Sequence, residues 1–547
     1  MRARTIPRIF AGRYTMIRFA CGSVAAFALL NAGGLSRLHA QAETQTFRTG
    51  TRLVEVDVVV RSKDSPATGL SKEDFTLLDN GKPQEISVFS IKGAESSIPT
   101  AGLPPGAGQA PAPLPPGTYS NRSSRDREET KTATVLLIDQ RNTPRNDQIY
   151  AIQRVAKFLA SFPPGNRIAV YTFGRDGLRP LQDLTDNAEL LRAAASTLQQ
   201  KDPGALCDGL EGRAAENCTR QEIFARVMDT KRALKAVARH LAQVPGRKNL
   251  IWVTASLPIA GKDFDFSSDM QEAAHALNES NLALYAVDAR GLIGALSGTT
   301  AIANAESRGN PQAAQMAARK LTVGPSGIET MNLLAGYTGG EVYFNNNGIE
   351  DSIQSAVADG EFSYALGFYP EAAPDGLWHN LKVEVARPGV SVRYRKNYFS
   401  ARTEDLASAH PTMEQLMQDP LEATQLEIVA ETAPDPARPG FLQVKVSVDP
   451  RRLEWRQENA QRSGGFTVAF FVEGASQVPT RTQTYDNIPD NQFDSFLRRG
   501  ASISESVDIA GAGRTLRVVV QDQIGGAAGS LTIPLPNTPK RSGKGKK

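Results

Sequence analysis

The sequence predicts a multidomain protein in which one α/β domain, with a central parallel sheet and helices on both faces, is flanked by β-sandwich modules. The chain of 547 residues is too long for a single hydrophobic core. Between residues 133 and 360, nearly continuous apolar strands alternate with amphipathic helices. On either side, short strands are separated by Gly, Pro and Asn turns, which is typical of sandwich modules.

Residues 1–42 have the pattern of a secretory signal peptide. A basic lead-in is followed by an apolar run, residues 19–30, and by the small-x-small sequence Ala40-Gln41-Ala42. Because the apolar run is shorter than the roughly 20 residues that span a bilayer, cleavage is favoured over a retained anchor. We therefore expect a periplasmic or secreted protein whose mature chain has no membrane span.

The positive charge of the chain lies at its two ends. Without residues 1–42 the chain holds 56 basic and 58 acidic residues, and the last eight residues, KRSGKGKK, hold five of the basic ones. The body is therefore acidic, which argues against nucleic-acid binding. Residues 537–547 are expected to form a disordered basic tail.

Two cysteines, Cys207 and Cys218, remain after the signal peptide. In an oxidising compartment we expect them to form a disulfide that closes one short loop and contributes roughly 3 kcal/mol to stability. Two free thiols are the alternative.

The N-terminal β segment, residues 43–92, contains the alternating run LVEVDVVV and a hairpin with an Asp-Asn-Gly turn. Residues 361–400 return to strands. Since neither segment has enough strands for its own core, we expect them to pair into one sandwich from which the α/β domain, 133–360, is inserted.

Two linkers and a second β module complete the predicted organisation. Residues 93–132 are rich in Pro, Gly and charge, and are expected to be a disordered linker. A second linker, 401–422, precedes a C-terminal β-sandwich at 423–536.

Common catalytic motifs are absent from the sequence: it contains no G-x-S-x-G elbow, no H-E-x-x-H and no phosphate-binding loop. The polar residues of interest follow the predicted strands of the α/β domain. Because parallel strands end at one edge of a sheet, where ligands bind, these residues are candidates for ligand contact. They are Asp139, Arg141, Asn142, Thr143, Thr254, Ser256, Asp288 and Arg290. Local turn and cap chemistry is the alternative role.

Several segments occur in a characteristic order: GLSKEDFTLLDNGKPQEISVF, VLLIDQRNTP, GRKNLIWVTASLP, LYAVDARGL, LAGYTGGEVYF and YALGFYP. In these the chain resembles von Willebrand factor A-like domain proteins, most closely the VWFA-related family common in Acidobacteria. The resemblance implies a Rossmann-like domain that is used for protein–protein contact and not for catalysis.

Adhesive A domains carry a metal-ion-dependent adhesion site whose first loop is Asp-x-Ser-x-Ser. Here the matching positions hold Asp139, Arg141 and Thr143, and Ala255 stands where the resemblance implies a third-loop Asp. A divalent ion needs oxygen ligands, which Ala255 lacks, and the Arg141 cation would repel it. We therefore predict a degenerate site without a cofactor, in which Arg141 or Arg290 neutralises Asp139. The alternative is a weak Mg²⁺ or Mn²⁺ site at Asp139 and Thr143.

Together these patterns indicate a non-catalytic adhesion or assembly protein that binds an unknown protein ligand at the strand-end edge. A metal-dependent adhesin and an accessory subunit of a secreted hydrolase are the alternatives.

Overall fold

The structure is a computed structural model, and it describes most of the chain beyond residue 52. The described residues are 53–63, 65–93, 114–121, 133–162, 166–201, 207, 209–255, 257, 259–261, 264–291, 327–344, 348–402, 410–475, 477–509 and 513–535. The predicted signal peptide, the predicted basic tail and Ser256 lie outside them. No helix in these ranges is both long and apolar enough to cross a membrane.

The described part of the chain begins with five strands and a short 3-10 turn, Lys72–Asp74. The strands are β1 (Val54–Ser62), β2 (Ser65–Pro66), β3 (Phe75–Asp79), β4 (Lys82–Gln84) and β5 (Val88–Gly93). Asn80 and Gly81 join β3 to β4, both at positive φ (47° and 79°). This is the backbone that a tight hairpin turn needs, and the Asn-Gly pair adopts it readily.

An ordered strand, β6 (Thr118–Ser120), interrupts the predicted disordered linker. It pairs antiparallel with a strand of the C-terminal module, Tyr119 lying opposite Ala430. The next residue, Asn121, is buried, and its Nδ2 donates to the carbonyls of Ala423 and Leu426, both at 2.8 Å. The chain is thus anchored in the C-terminal module before it enters the α/β domain.

The α/β domain is built on one six-stranded sheet. Its strands are β7 (Ala133–Asp139), β8 (Arg167–Gly174), β9 (Gly177–Thr185), β10 (Lys248–Thr254), β13 (Leu282–Asp288) and β14 (Val342–Tyr343), and a separate hairpin is formed by β11 (Ala260–Gly261) and β12 (Phe264–Asp265). The order is β14-β13-β10-β7-β8-β9. Five strands are parallel, and β9 runs antiparallel at the edge.

The predicted fold class is confirmed, with the sheet mixed where the sequence indicated a parallel one. The sequence pattern missed β9 because it contains Pro180 and several polar residues. A proline is tolerated at a sheet edge, where its position needs no ladder hydrogen bond.

Helices cover both faces of this sheet. They are α1 (Arg145–Ala160), α2 (Ala188–Ser196), α3 (Gly212–His240), α4 (Ser267–Glu279), α5 (Ile328–Thr338) and α6 (Ile349–Glu361). The core against one face comes from α3, α4 and α5, and the core against the other from α1, α2 and α6. The predicted disulfide between Cys207 and Cys218 is present and ties the start of α3 to the preceding segment.

After α6 the chain returns to the N-terminal strands. Four more strands follow: β15 (Phe362–Phe368), β16 (Trp378–Val385), β17 (Ser391–Arg393) and β18 (Asn397–Phe399). The two sheets have the orders β17-β1-β15-β5 and β18-β16-β3-β4. They enclose a core of residues from both segments, including Val56, Phe75, Tyr364 and Phe368. Strands before and after the α/β domain thus share one sandwich.

In its described residues the C-terminal module is a second sandwich with two short helices. Its elements are α7 (Met413–Gln418), β19 (Ile428–Pro434), β20 (Phe441–Val448), a 3-10 turn (Pro450–Arg452), β21 (Arg456–Glu458), β22 (Gln461–Val472), β23 (Thr480–Pro489), α8 (Asp490–Arg499), β24 (Ala501–Asp508), β25 (Thr515–Asp522) and β26 (Ala528–Pro534). One sheet has the order β24-β20-β19-β6, and the other β21-β22-β25-β26 with β23 beside β22.

His240, at the end of α3, joins the α/β domain to the C-terminal module. Its Nδ1 is 2.7 Å from the carbonyl oxygen of Glu422, and its Nε2 is 3.3 Å from Oδ1 of Asp183. Both partners are acceptors, so the doubly protonated imidazolium satisfies both. Burial lowers the pKa of His240, but the Asp183 carboxylate outweighs it and the pKa is raised. The same pair lowers the pKa of Asp183 to about 2, against the opposing effect of burial.

We expect His240→Gln to destabilise the protein more at pH 5.5 than at pH 8.5. The folded pKa of His240 is raised, so its contribution is fully present below the unfolded pKa, about 6.5, and is lost as the pH rises through the folded pKa. Thermal unfolding of wild type and variant at the two pH values measures this. His410→Gln is the control: burial lowers the pKa of His410, so its pH trend should be opposite. Equal destabilisation by His240→Gln at both pH values would contradict the assignment.

Candidate functional site

The carboxyl ends of β7, β8, β10 and β13 lie at one edge of the sheet, which we call the strand-end edge. From β7 the sheet continues to β8 and β9 on one side and to β10, β13 and β14 on the other. The loop after β7 therefore lies where the strand order reverses, which is where open α/β sheets bind their ligands.

The loop at this point, Asp139 to Thr143, is buried, with each residue between 1 and 3% exposed. Oδ1 of Asp139 accepts the backbone N–H of Asn142 at 2.8 Å. Oδ2 accepts Nδ2 of Asn142 at 2.8 Å, Nε1 of Trp252 at 3.0 Å and Oγ1 of Thr254 at 2.8 Å. A single carboxylate thus closes its own turn and fastens β7 to β10.

The cation associated with this carboxylate is Arg226, from α3. Its Nε donates to Oδ1 of Asn142 at 2.9 Å, and Nδ2 of Asn142 also donates to Oγ1 of Thr230 at 2.9 Å. Burial raises the pKa of Asp139, while its hydrogen bonds from Asn142 and Thr254 and the charge of Arg226 act in the opposite direction. Asn142 therefore connects the loop to the helix.

The prediction that Arg141 neutralises Asp139 is wrong. The Arg141 guanidinium pairs instead with two acids of α3: its Nη1 contacts Glu222, and its Nε lies 3.3 Å from Oδ2 of Asp229. Glu222 and Asp229 are therefore the carboxylate partners of Arg141, whereas Asp139 already accepts four hydrogen bonds from other residues.

Arg290 was the other predicted partner of Asp139, and it too is engaged elsewhere. Its Nε and Nη2 donate to the two oxygens of Asp288, at 2.9 and 2.8 Å. Because this contact spans only two residues, it closes the turn after β13. Thus the sequence-predicted residues Asn142 and Thr254 meet at Asp139, while Asp288 and Arg290 form a separate pair.

Thr143 is buried, and its Oγ1 has no hydrogen-bond partner. It is the only hydroxyl in the loop that could ligate a metal. The described residues do not fit a divalent ion, however. Both oxygens of Asp139 face N–H or O–H donors, and two of the donor groups, an indole and an amide NH₂, cannot act as ligands. Ala255 is buried and supplies no side-chain oxygen. In the described part of the chain, no three His, Cys, Asp or Glu residues are grouped to hold a metal.

Sequence reasoning missed two members of the network around Asp139, Trp252 and Arg226. Trp252 lies two residues before Thr254 on β10, so strand alternation places both on the face that packs against α3. On α3, the spacing of Glu222, Arg226 and Asp229 gives a polar stripe at helical period. These two patterns indicate a contact with Asp139 only when it is known that α3 packs against this face of the sheet.

No family model and no curated protein matches the sequence. Among solved structures, the chain is similar in fold to the SpRpn10 VWA domain, with 14% identity over 42% of this chain and 97% of that one, at a TM-score of 0.21. It is also similar to the pilus adhesin SpaC from Lactobacillus rhamnosus GG, with 10% identity over 72% of this chain and 54% of that one, at a TM-score of 0.26. A third match is the N-terminal domain of TFIIH p34, with 14% identity over 29% of this chain and 80% of that one, at a TM-score of 0.17.

We expect Asp139→Asn to destabilise the α/β domain by about 3 kcal/mol, because an amide nitrogen would face donors that now bind a carboxylate oxygen. Thermal unfolding measures the change. Asp494→Asn, at an exposed position of α8, is the control and should behave as wild type. If both variants have wild-type stability, the network does not hold the loop.

Calorimetric titration of EDTA-treated protein with Mg²⁺ and Mn²⁺ is expected to show no saturable micromolar binding, because the oxygens of Asp139 are already used as acceptors. Thr143→Val, which removes the unpartnered hydroxyl at nearly constant volume, is the matched variant. Saturable binding in wild type that Thr143→Val abolishes would establish a metal site and contradict the prediction.

Proposed function

We propose that the chain is a non-catalytic protein–protein interaction protein that acts in adhesion or assembly in the periplasm or outside the cell. Its protein ligand would contact the strand-end edge of the α/β domain. The observation that carries this proposal is the buried network around Asp139. Because the network holds the loop in one conformation, the edge needs no ordering when a ligand binds, and preformed surfaces bind at lower entropic cost.

Exposed aromatic surface lies between α3 and the segment that leads into α4. Phe224 is 52% exposed and sits on the part of α3 that also carries Glu222 and Arg226. Its ring lies 5.9 Å from that of Phe266, which stacks on Phe264 at 5.5 Å. Aromatic residues are enriched at protein interfaces and often dominate their energy. Such a cluster is therefore suited to anchor a protein ligand.

The disulfide supports an extracytoplasmic location. Cys207 and Cys218 are bonded, and disulfides persist in oxidising compartments such as the periplasm. The bond also constrains the start of α3, the helix that carries Phe224.

A metal-dependent adhesin is the second candidate, and the unpartnered Oγ1 of Thr143 is the observation that favours it. The filled acceptor positions of Asp139 favour the metal-free form. The two functions differ in whether EDTA removes the ligand.

Affinity capture from the native envelope fraction tests the proposal. We expect the wild-type chain to recover a protein ligand both with and without EDTA. Phe224→Glu should lower the recovered amount about tenfold or more, because a charge would enter the apolar contact. Leu377→Glu is the matched control, since Leu377 is 62% exposed but lies in the N-terminal sandwich. If Phe224→Glu leaves the recovered amount unchanged, the strand-end edge is not the binding surface. If EDTA abolishes recovery, the result favours the metal-dependent adhesin.

A further inference from the structure

An open cleft of about 440 Å³ lies beside the Asp139 loop, where β7 and β8 end. It is lined by Gln140, Gly174, Arg175, Asp176 and Lys201. Its volume falls in the range of sites that hold small ligands or a few side chains.

The charged groups around the cleft are mainly cations. Asp176 is its one carboxylate among the described lining residues, and it is shared by two cations: Nζ of Lys201 lies 2.7 Å away and Nη2 of Arg179 lies 2.6 Å away. Burial raises the pKa of Asp176, but the hydrogen bond from Lys201 and the neighbouring charges outweigh it, so Asp176 stays ionised at neutral pH. Arg175, in the turn between β8 and β9, is exposed and forms no ion pair with another described residue. Among the described residues around the cleft, three cations against one carboxylate leave an excess of positive charge.

The walls of the cleft are fixed to the buried loop through Gln148 of α1. Oε1 of Gln148 accepts the backbone N–H of Lys201 at 3.0 Å, and its Nε2 donates to the carbonyls of Thr143 and Gln140, at 2.8 and 3.1 Å. The side chain of Gln140 in turn donates to the carbonyl of Gln199. The walls of the cleft are therefore attached to the same buried loop that contains Asp139.

Gly174 keeps the floor of the cleft open. A Cβ at this position would lie 2.9 Å from Oδ1 of Asp176 and 3.6 Å from Cδ of Lys201. A larger side chain there would occupy the space between the two charged groups without changing their charge.

We propose that this cleft binds the carboxylates of an acidic segment of the protein ligand. Arg175 supplies a planar fork of donors and Lys201 a second cation, and both form charge-assisted hydrogen bonds with carboxylates. The inference rests on the proposed function, since it assigns the chemistry of the ligand at the strand-end edge.

Fluorescence anisotropy with a labelled, end-capped hexaglutamate peptide tests the proposal on the full-length protein, with hexaglutamine as the neutral control peptide. We expect hexaglutamate alone to bind, and to bind more weakly as salt screens the charges. Arg175→Glu should weaken binding about fivefold, as expected for reversing one exposed charge. Gly174→Val should weaken it by filling the cleft. Arg499→Glu, at an exposed arginine of α8, is the control and should bind as wild type.

Equal binding of the two peptides, or equal effects of Arg175→Glu and Arg499→Glu, would overturn the inference. So would full displacement of the peptide by inorganic phosphate at concentrations where acetate has no effect, since the cleft would then be a phosphate site. If the peptide result fails while Phe224→Glu still abolishes ligand capture, the proposed function stands and only the assignment of the cleft falls. If Phe224→Glu leaves ligand capture unchanged while peptide binding requires Arg175, the assignment of the cleft stands and the proposed function falls.

Discussion

The buried carboxylate of Asp139 is the interaction on which the strand-end edge depends. An isolated charge at this depth would be strongly unfavourable, and four hydrogen bonds offset part of this cost. Burial still outweighs them, so the pKa of Asp139 is raised. The donors come from the loop itself and from β10, and Asn142 extends the network to α3. Strand, loop and helix therefore cannot move independently. The same arrangement explains why a divalent ion is not suited to this position, since the acceptor positions that it would need are taken by donors.

The α/β domain is attached to both β modules at the end of the sheet away from this edge. At the end of α6, the fully buried Asp359 is held by Arg61 and Arg393 of the N-terminal sandwich. At the end of α3, Arg239 pairs with Asp419 at 2.6 Å, next to the contact that His240 makes with the C-terminal module. Both helices run antiparallel to the strands, so these junctions lie near the strand starts. The strand-end edge consequently faces away from both junctions.

Within the edge, buried and exposed groups have different roles. The buried residues use most of their hydrogen-bonding groups within the protein, the Thr143 hydroxyl being an exception, so in the proposed function they position the surface and leave ligand contact to exposed groups. The exposed groups, Phe224 on α3 and Arg175 in the β8–β9 turn, are of different chemical kinds, one apolar and one cationic. An interface with an apolar anchor and a charged contact is the combination that gives both affinity and selectivity.

The sequence by itself determined the class of the fold, the strand-end position of Asp139 and the cysteine pair, because apolar periodicity and strand-to-turn transitions are local signals. It also indicated that Ala255 removes a metal ligand. Only the tertiary structure decided which groups meet: Arg141 pairs with Glu222, 81 residues away, and Trp252 donates to Asp139 across 113 residues. The sequence pattern also failed to predict the short strands β6 and β9, which are ordered by partners distant in the chain. Their own residues carry polar or proline-containing patterns, and it is a neighbouring strand that makes them strands.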